Sequence, residues 1–268
     1  MTEKNLPAPA RAAVGPVLAS VNCPMGIVRV TVDQAAAVAT AVVRTDDATG
    51  AAADAVRDSR ISRDGNRLTV VVPDVQGAGG GGFTQTVTRS GGRITVSQNF
   101  GTVTGSVTGV TIVNGRVITG GGNTAVSSGI EVLITLPAGS GVQMTSYNAD
   151  LEITGLLAAL DLDTHNGNVR AGILGRVKVR GHNGDNDIAA VQEWADIETH
   201  NGNTYVRSYG GGAARLITHN GNVELSAARS ASGRIEARSH NGNIRLRGVS
   251  GRSDLDVVTN TRHGHISK

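Results

Sequence analysis

From about residue 143 onward, apolar and polar residues alternate with period two in short runs, and the runs recur. Ahead of a repeated His-Asn-Gly, Leu160, Leu162 and Thr164 alternate with Asp161 and Asp163; later come Val177 and Val179, Ala195 and Ile197, Ala214 and Leu216, and Ile235 and Ala237. Behind it come Val169 and Ala171, Ile188 and Ala190, Val223 and Leu225, and Ile244 and Leu246. This is the pattern of strands with one buried and one wet face. His-Asn-Gly itself begins at His165, His182, His200, His219 and His240, at spacings of 17, 18, 19 and 21 residues. Degenerate copies flank it, Tyr147 to Leu151 and Asn260 to Ile266, so about seven units run to the end of the chain. Self-similarity at such a period marks a repeat architecture.

Asn-Gly between two strands is a turn signal, because both residues tolerate positive φ. The turn ladder would comprise Asn166-Gly167, Asn183-Gly184, Asn201-Gly202, Asn220-Gly221 and Asn241-Gly242. A second, looser turn carries the length variation, as at Tyr209 to Gly212. Antiparallel hairpins and a parallel solenoid both fit this much. The outward charges favour the solenoid. Four residues before each His stand Asp161, Lys178, Asp196, Arg215 and Glu236, alternating in sign at every unit; two before it stand Asp163, Arg180, Glu198, Ile217 and Arg238. In-register stacking sets opposite charges side by side and penalises a slipped coil.

The first half reads as a β-rich region over 14–142 after a flexible 1–13, with strands at 27–32, 41–44 and 68–72, a short helix over 48–57 and a strand at 131–139 entering the 143–268 repeats. A Gly-, Thr- and Val-rich insertion occupies 76–129, with Gly runs at 79–82 and 120–122 read as flexible loops and Asn114-Gly115 as a hairpin turn. Only 2% of residues are aromatic, while Gly numbers 37, which fits thin stacked strands better than a globule built on large rings.

An early Gly-x-Val-Arg-Val strand, Asp64 to Val70, Ile134-Thr135-Leu136-Pro137-Ala138-Gly139, the repeated Asn-Gly turns and a terminal Asn-Thr-Arg-x-Gly follow one another in the chain. In that order they resemble the actinobacterial branch of a β-strand-repeat domain-of-unknown-function family labelled "putative adhesin", over roughly residues 14–268. The resemblance implies an all-β, single-stranded, right-handed parallel β-solenoid (β-helix), continuous with the N-terminal β-rich region. It implies no activity and no catalytic residues.

The His row, His165, His182, His200, His219 and His240, is the candidate metal site, for Zn²⁺, Ni²⁺ or Cu²⁺. A stacked row is a line rather than a tetrahedral cage, and the chain has a single cysteine, Cys23. The competing reading is a structural turn ladder in which the Asn side chains bond between coils; no metal or other cofactor is expected. Protonation near the ordinary imidazole pKa of ~6.5 would set like charges in a row and destabilise the stack. The Gly runs lack the Gly-Lys-Ser/Thr of a phosphate loop, and repetition itself explains the many Ser, His and Asp residues.

These features lead to the expectation of a non-enzymatic binding scaffold or self-assembling module, with a protein partner or a second copy meeting the solenoid faces or an open coil end after Lys268. A surface adhesin is the alternative. A carbohydrate-binding or carbohydrate-processing β-helix is a further one, against which stand sparse aromatics and the single Trp194. A net charge of +3 gives no case for nucleic acid. No stretch reaches the ~18 apolar residues of a membrane span. The lone cysteine and the absence of a signal-length apolar core point to a cytoplasmic protein, with the cell surface or non-classical secretion as the alternative.

Overall fold

The computed structural model describes residues 1–6, 14–75 and 129–268 in full, together with the backbone of four strands between 76 and 128. It is nearly all β, a parallel β-solenoid of about six turns. The repeats contribute β12 (Gly141–Asn166), β13 (Val169–Asn183), β14 (Asn186–Asn201), β15 (Thr204–Tyr209), β16 (Ala213–Asn220), β17 (Val223–Ala227), β18 (Gly233–Asn241), β19 (Ile244–Arg247), β20 (Leu255–His263) and β21 (Ile266–Ser267). Every pairing among them is parallel. Asp161 lies beside Lys178, Lys178 beside Asp196, Asp196 beside Arg215, and Arg215 beside Glu236.

The alternation dictates the interior. Leu160, Leu162, Val177, Val179, Ala195, Ile197, Leu216 and Ile235 point inward from one side, and Val169, Ile188, Val206, Leu225 and Ile244 from the other; all are buried. Each Leu, Ile and Val among them contributes roughly 1.5–3 kcal/mol of apolar burial, tempered by the compactness of the unfolded chain. Tyr209 fills the second corner of its coil, fully buried, and burial pushes its phenol up to about 12. The loops Gly210 to Gly212, Ala228 to Ser232 and Gly248 to Asp254 absorb the changes in repeat length at this corner.

Below the repeats the levels are not in chain order. β2 (Leu18–Asn22) and β3 (Met25–Asp33) pair in parallel with β12 on one side. On the other side they pair in parallel with β6 (Arg67–Val71) and β11 (Glu131–Pro137). Residues 18–33 thus form a level sandwiched between 67–71 with 131–137 and 141–154. Ser140, fully buried, secures the passage by accepting a hydrogen bond from the Val17 N–H at 3.0 Å.

The base is closed by antiparallel strands. β4 (Thr40–Thr45) pairs with β11, and β5 (Arg60–Asp64) pairs with β6. Thr2–Asn5, expected within a flexible N-terminus, instead forms β1, antiparallel to β4, because its backbone groups find partners on that strand's free edge. α1 (Ala51–Asp58) lies three residues later than expected at its start and buries Ala52, Ala53, Ala55 and Val56 on one face. At the other end, among the described residues, β20 and β21 are paired on one side only, to β18 and β19.

Two antiparallel pairs are described between 76 and 128: β7 (Thr84–Ser90) with β8 (Arg93–Asn99), and β9 (Val110–Val113) with β10 (Arg116–Thr119). The expected loops at 79–82 and 120–122 and the Asn114-Gly115 turn lie outside the described residues. Val75 and Gly129 lie at the coil edge where the His-Asn-Gly turns of the later repeats fall, two levels below Tyr147.

At that edge Asn-Gly is not a hairpin. Each Asn ends its strand in register with the next Asn, as Asn183 does with Asn201. Glycine is required because a Cβ on Gly221 would lie 2.0 Å from the Gly202 carbonyl oxygen, and the same approach recurs at Gly184, Gly202 and Gly242. Gly221→Ala is expected to cost about 1–3 kcal/mol or more in urea unfolding, as an overpacked site does. Gly212→Ala, with open space around it, should stay within about 0.5 kcal/mol.

Candidate functional site: the imidazole edge and its amide ladders

The turn of each coil delivers three side chains in sequence, and stacking turns each into a column. The first column is aromatic. Tyr147 and His165 stack at 4.7 Å between ring centres, His165 and His182 at 4.8, His182 and His200 at 4.9, His200 and His219 at 4.7, and His219 and His240 at 4.6. The planes are within 16° of parallel throughout. His263 ends the row edge-on to His240 at 5.9 Å. The spacing is that of neighbouring strands, so the rings inherit it from the backbone.

The second column is the Asn that follows each His. Asn166 donates from Nδ2 to Asn148 Oδ1, Asn183 to Asn166, Asn201 to Asn183, Asn220 to Asn201 and Asn241 to Asn220, all at 2.6–2.8 Å. The third column, not singled out from the sequence, follows the Gly. Asn168, Asp185, Asn203 and Asn222 each accept at Oδ1 from the backbone N–H of the equivalent residue one coil on, at 2.7–3.0 Å. The second Asn of Asn-Gly-Asn was its signal. Between the two amide columns, the N–H groups of Gly167, Gly184, Gly202, Gly221 and Gly242 donate to the next coil's carbonyls at 2.9–3.0 Å. The turn amides and the glycine N–H groups therefore find their partners along the axis.

The outward charges meet unevenly. Lys178 lies 3.6 Å from Asp161. Arg180, Asp196, Glu198 and Arg215 form a network, with Asp196 accepting from Arg180 at 2.6 Å and from Arg215 at 2.9 Å, and Glu198 accepting from Arg215 at 3.1 Å. Burial raises the Asp196 carboxyl, yet the two guanidinium hydrogen bonds and charges outweigh it and hold it below the usual range. Glu236 does not reach Arg215. It pairs with Arg238 of its own strand at 2.6 Å.

Among the described residues no group of three or more His, Cys, Asp or Glu side chains converges on one point. The five imidazoles lie side by side along a line. Beside them runs a shallow groove of about 570 Å³, walled by His182, His200, His219 and His240 on one side and by Glu198, Ile217 and Arg238 on the other. It continues past His165, Asp163 and Arg180 in a stretch of about 330 Å³.

No family model matches the chain, and no curated protein does. Solved structures show where the fold has been seen. It is similar in fold to a "putative adhesin" from Bacteroides fragilis. That likeness spans 98% of this chain and 94% of the other at 14% identity, with a TM-score of 0.54. A "putative cell adhesion protein" from Clostridium sporogenes matches over 99% and 97% at 10% identity with a TM-score of 0.40. A "putative adhesin" from Parabacteroides distasonis matches over 99% and 95% at 11% identity with a TM-score of 0.37. No helix among the described residues is long and apolar enough to cross a membrane.

Two expected outcomes follow from the edge itself. Asn201→Ala removes the rungs to Asn183 and Asn220 and should cost about 1–3 kcal/mol in urea unfolding. Burial, His219, Arg262 and His263 together lower the His240 pKa below its ordinary value. The unfolded chain then takes up that proton first as pH falls, so stability is full above about 6.5 and declines below it. Melting temperatures at about pH 7.5 and about pH 5, on either side of the ordinary ~6.5, should differ in that direction, and His240→Gln should flatten the slope. A melt with no pH dependence over this range would refute the assignment.

Proposed function

We propose that this chain is a non-enzymatic, adhesin-like binding solenoid that acts at the cell surface or outside the cell. The observation that carries the reading is the form of the edge. Its functional groups recur at coil spacing along an open groove instead of converging in a pocket, which suits an extended partner held at many points. The likeness in fold to the Bacteroides fragilis protein described as a "putative adhesin" supports it. Within that reading we assign the chain to the actinobacterial β-strand-repeat family whose motif order it resembles.

The scaffold that grows by end-to-end stacking is less well supported. Among the described residues β4, β1 and β5 pair antiparallel at the base of the solenoid, so the parallel coil edge that β20 and β21 present at the other end has no bare counterpart there. The cytoplasmic expectation rested on the lone Cys23 and on the absence of a signal-length apolar core, and the first of these carries no weight. Cys23 is an interior residue of the 18–33 level, fully buried, and burial pushes its thiol up to about 12, so it is inert in any compartment.

The reading is tested on intact cells of the producing organism. External protease and an antibody to the solenoid should reach the protein without lysis, and beads coated with the full chain should adhere to a target surface. Complete protection until the cells are broken open would overturn it.

A further inference from the structure

The solenoid carries one strand with a free edge. Among the described residues β20 pairs only with β18, which leaves a row of main-chain N–H and C=O groups along its outer side. β7 with β8 and β9 with β10 form sheets of their own, so those strands do not cover it. The interior is open at the same place. Leu255, Val257, Thr259 and Thr261 point inward, in register with Gly233, Ile235, Ala237 and Ser239. Val257 and Thr259 are only half-buried, whereas Ile235 and Ala237 are fully buried. On the opposite wall Ile266 is half-buried too, packed on the last of the core. Asp256, Val258, Asn260 and Arg262 point outward. Asp256 has Arg234 at 3.5 Å on its inner side, and its outer side is open. Arg262 is exposed and makes no ion pair among the described residues.

We propose that a second copy of this chain occupies that edge, β20 pairing antiparallel with β20 of the other copy about a two-fold axis at Thr259, to give a closed head-to-head dimer. Symmetry and register select the arrangement. A two-fold axis along the strands keeps them parallel but turns one interior to the opposite side of the sheet. An axis normal to the sheet makes them antiparallel and keeps both interiors on one side, so the two cores join. Inward residues must then face inward residues, which removes every second register. Of those left, the register centred on Thr259 pairs the whole strand, Leu255 to His263. It sets Asp256 of each copy against Arg262 of the other. Asp256 then lies between two guanidinium groups, as Asp196 lies between Arg180 and Arg215. On the inner face Thr259 meets Thr259 and Val257 meets Thr261, cross-strand pairs that stabilise a sheet. This self-complementary charge favours a second copy over an unrelated extended segment. The base already carries antiparallel strands, so association closes at two chains. Whatever the solenoid binds, the dimer presents two imidazole edges. They lie on opposite sides, because the axis exchanges the turn end of β20 with its other end.

The test is sedimentation velocity on the full chain from about 0.1 to about 100 μM, a range in which a Kd of micromolar order is read directly. Circular dichroism checks that each variant is folded, and both substitutions fall on exposed side chains outside the interior. The unaltered chain should sediment as a dimer that dissociates on dilution. Asp256→Arg alone brings two positive charges together at both contacts, and Arg262→Asp alone brings two negative charges together. Each should weaken self-association about tenfold or more, through two lost ion pairs and two new repulsions at exposed sites. Mixing the two variants restores opposite charges at both contacts, and the mixed dimer should return to within about threefold of the original Kd. A monomer over the whole range, a mass that climbs beyond two chains, a dimer indifferent to both reversals, or a mixture no tighter than its components would each overturn the proposal. None of these outcomes touches surface accessibility or bead adhesion, so they are separable from failure of the adhesin reading.

Discussion

The distance between coils at the turn edge governs the rest of this structure. Strand hydrogen bonding fixes the rise at roughly 4.7–4.9 Å. At the turn the backbone of one coil comes so near the next that a carbonyl oxygen occupies the place a Cβ would take, at 2.0 Å for Gly184 against Gly167 and for Gly202 against Gly184. Once these glycines are seated, the residues on either side have no freedom to drift. Each His must lie over the next His and each Asn over the next Asn. The inner amide column also explains why it is Asn throughout: an amide both donates and accepts, so one residue type can propagate a row, whereas a carboxylate only accepts. The outer column admits Asp185 because its neighbours bring backbone N–H donors.

Much of this is legible in the residues. The five His-Asn-Gly segments set the coil length, and the alternation of Leu160 with Asp161 or Ile197 with Glu198 identifies the interior. The sign changes from Asp161 to Lys178 to Asp196 favour parallel stacking over hairpins. The reason for the turn residues is not legible. Asn-Gly reads as a turn by φ preference, while here the Asn belongs to the strand and the Gly answers to a carbonyl from another coil. That cause is invisible along one stretch of sequence, because the atom in the way comes from a residue about 18 positions distant. Arg215 and Glu236 show the same limit. They are register neighbours, but Glu236 has a nearer guanidinium on its own strand in Arg238.

The base of the solenoid was not legible, for a different reason. A repeat announces itself when adjacent levels are adjacent in sequence. Residues 18–33 instead occupy a level between 67–71 with 131–137 and 141–154. Closing that level requires strands more than a hundred residues apart to meet, at a cost in loop-closure entropy that the repeats do not carry. The strands that cover it run antiparallel, so the parallel edge of the repeats is not continued there. The same topology sets the insertion between Val75 and Gly129 at the imidazole edge, two levels beneath the first ring of the row.

Constraint and freedom to vary fall on different columns of this edge. Interior Leu, Ile and Val, the Gly column and the two amide columns are constrained by packing or by hydrogen bonds, and a change in any one propagates to two neighbours. The column two residues ahead of each His carries no such constraint. It holds Asp163, Arg180, Glu198, Ile217 and Arg238 in succession, and ion pairs at these exposures contribute only about 0–1 kcal/mol each. A surface whose frame is fixed by glycine and amides can vary this column coil by coil without losing register. Under the binding role proposed above, that column is where such a surface can change its partner without changing its frame.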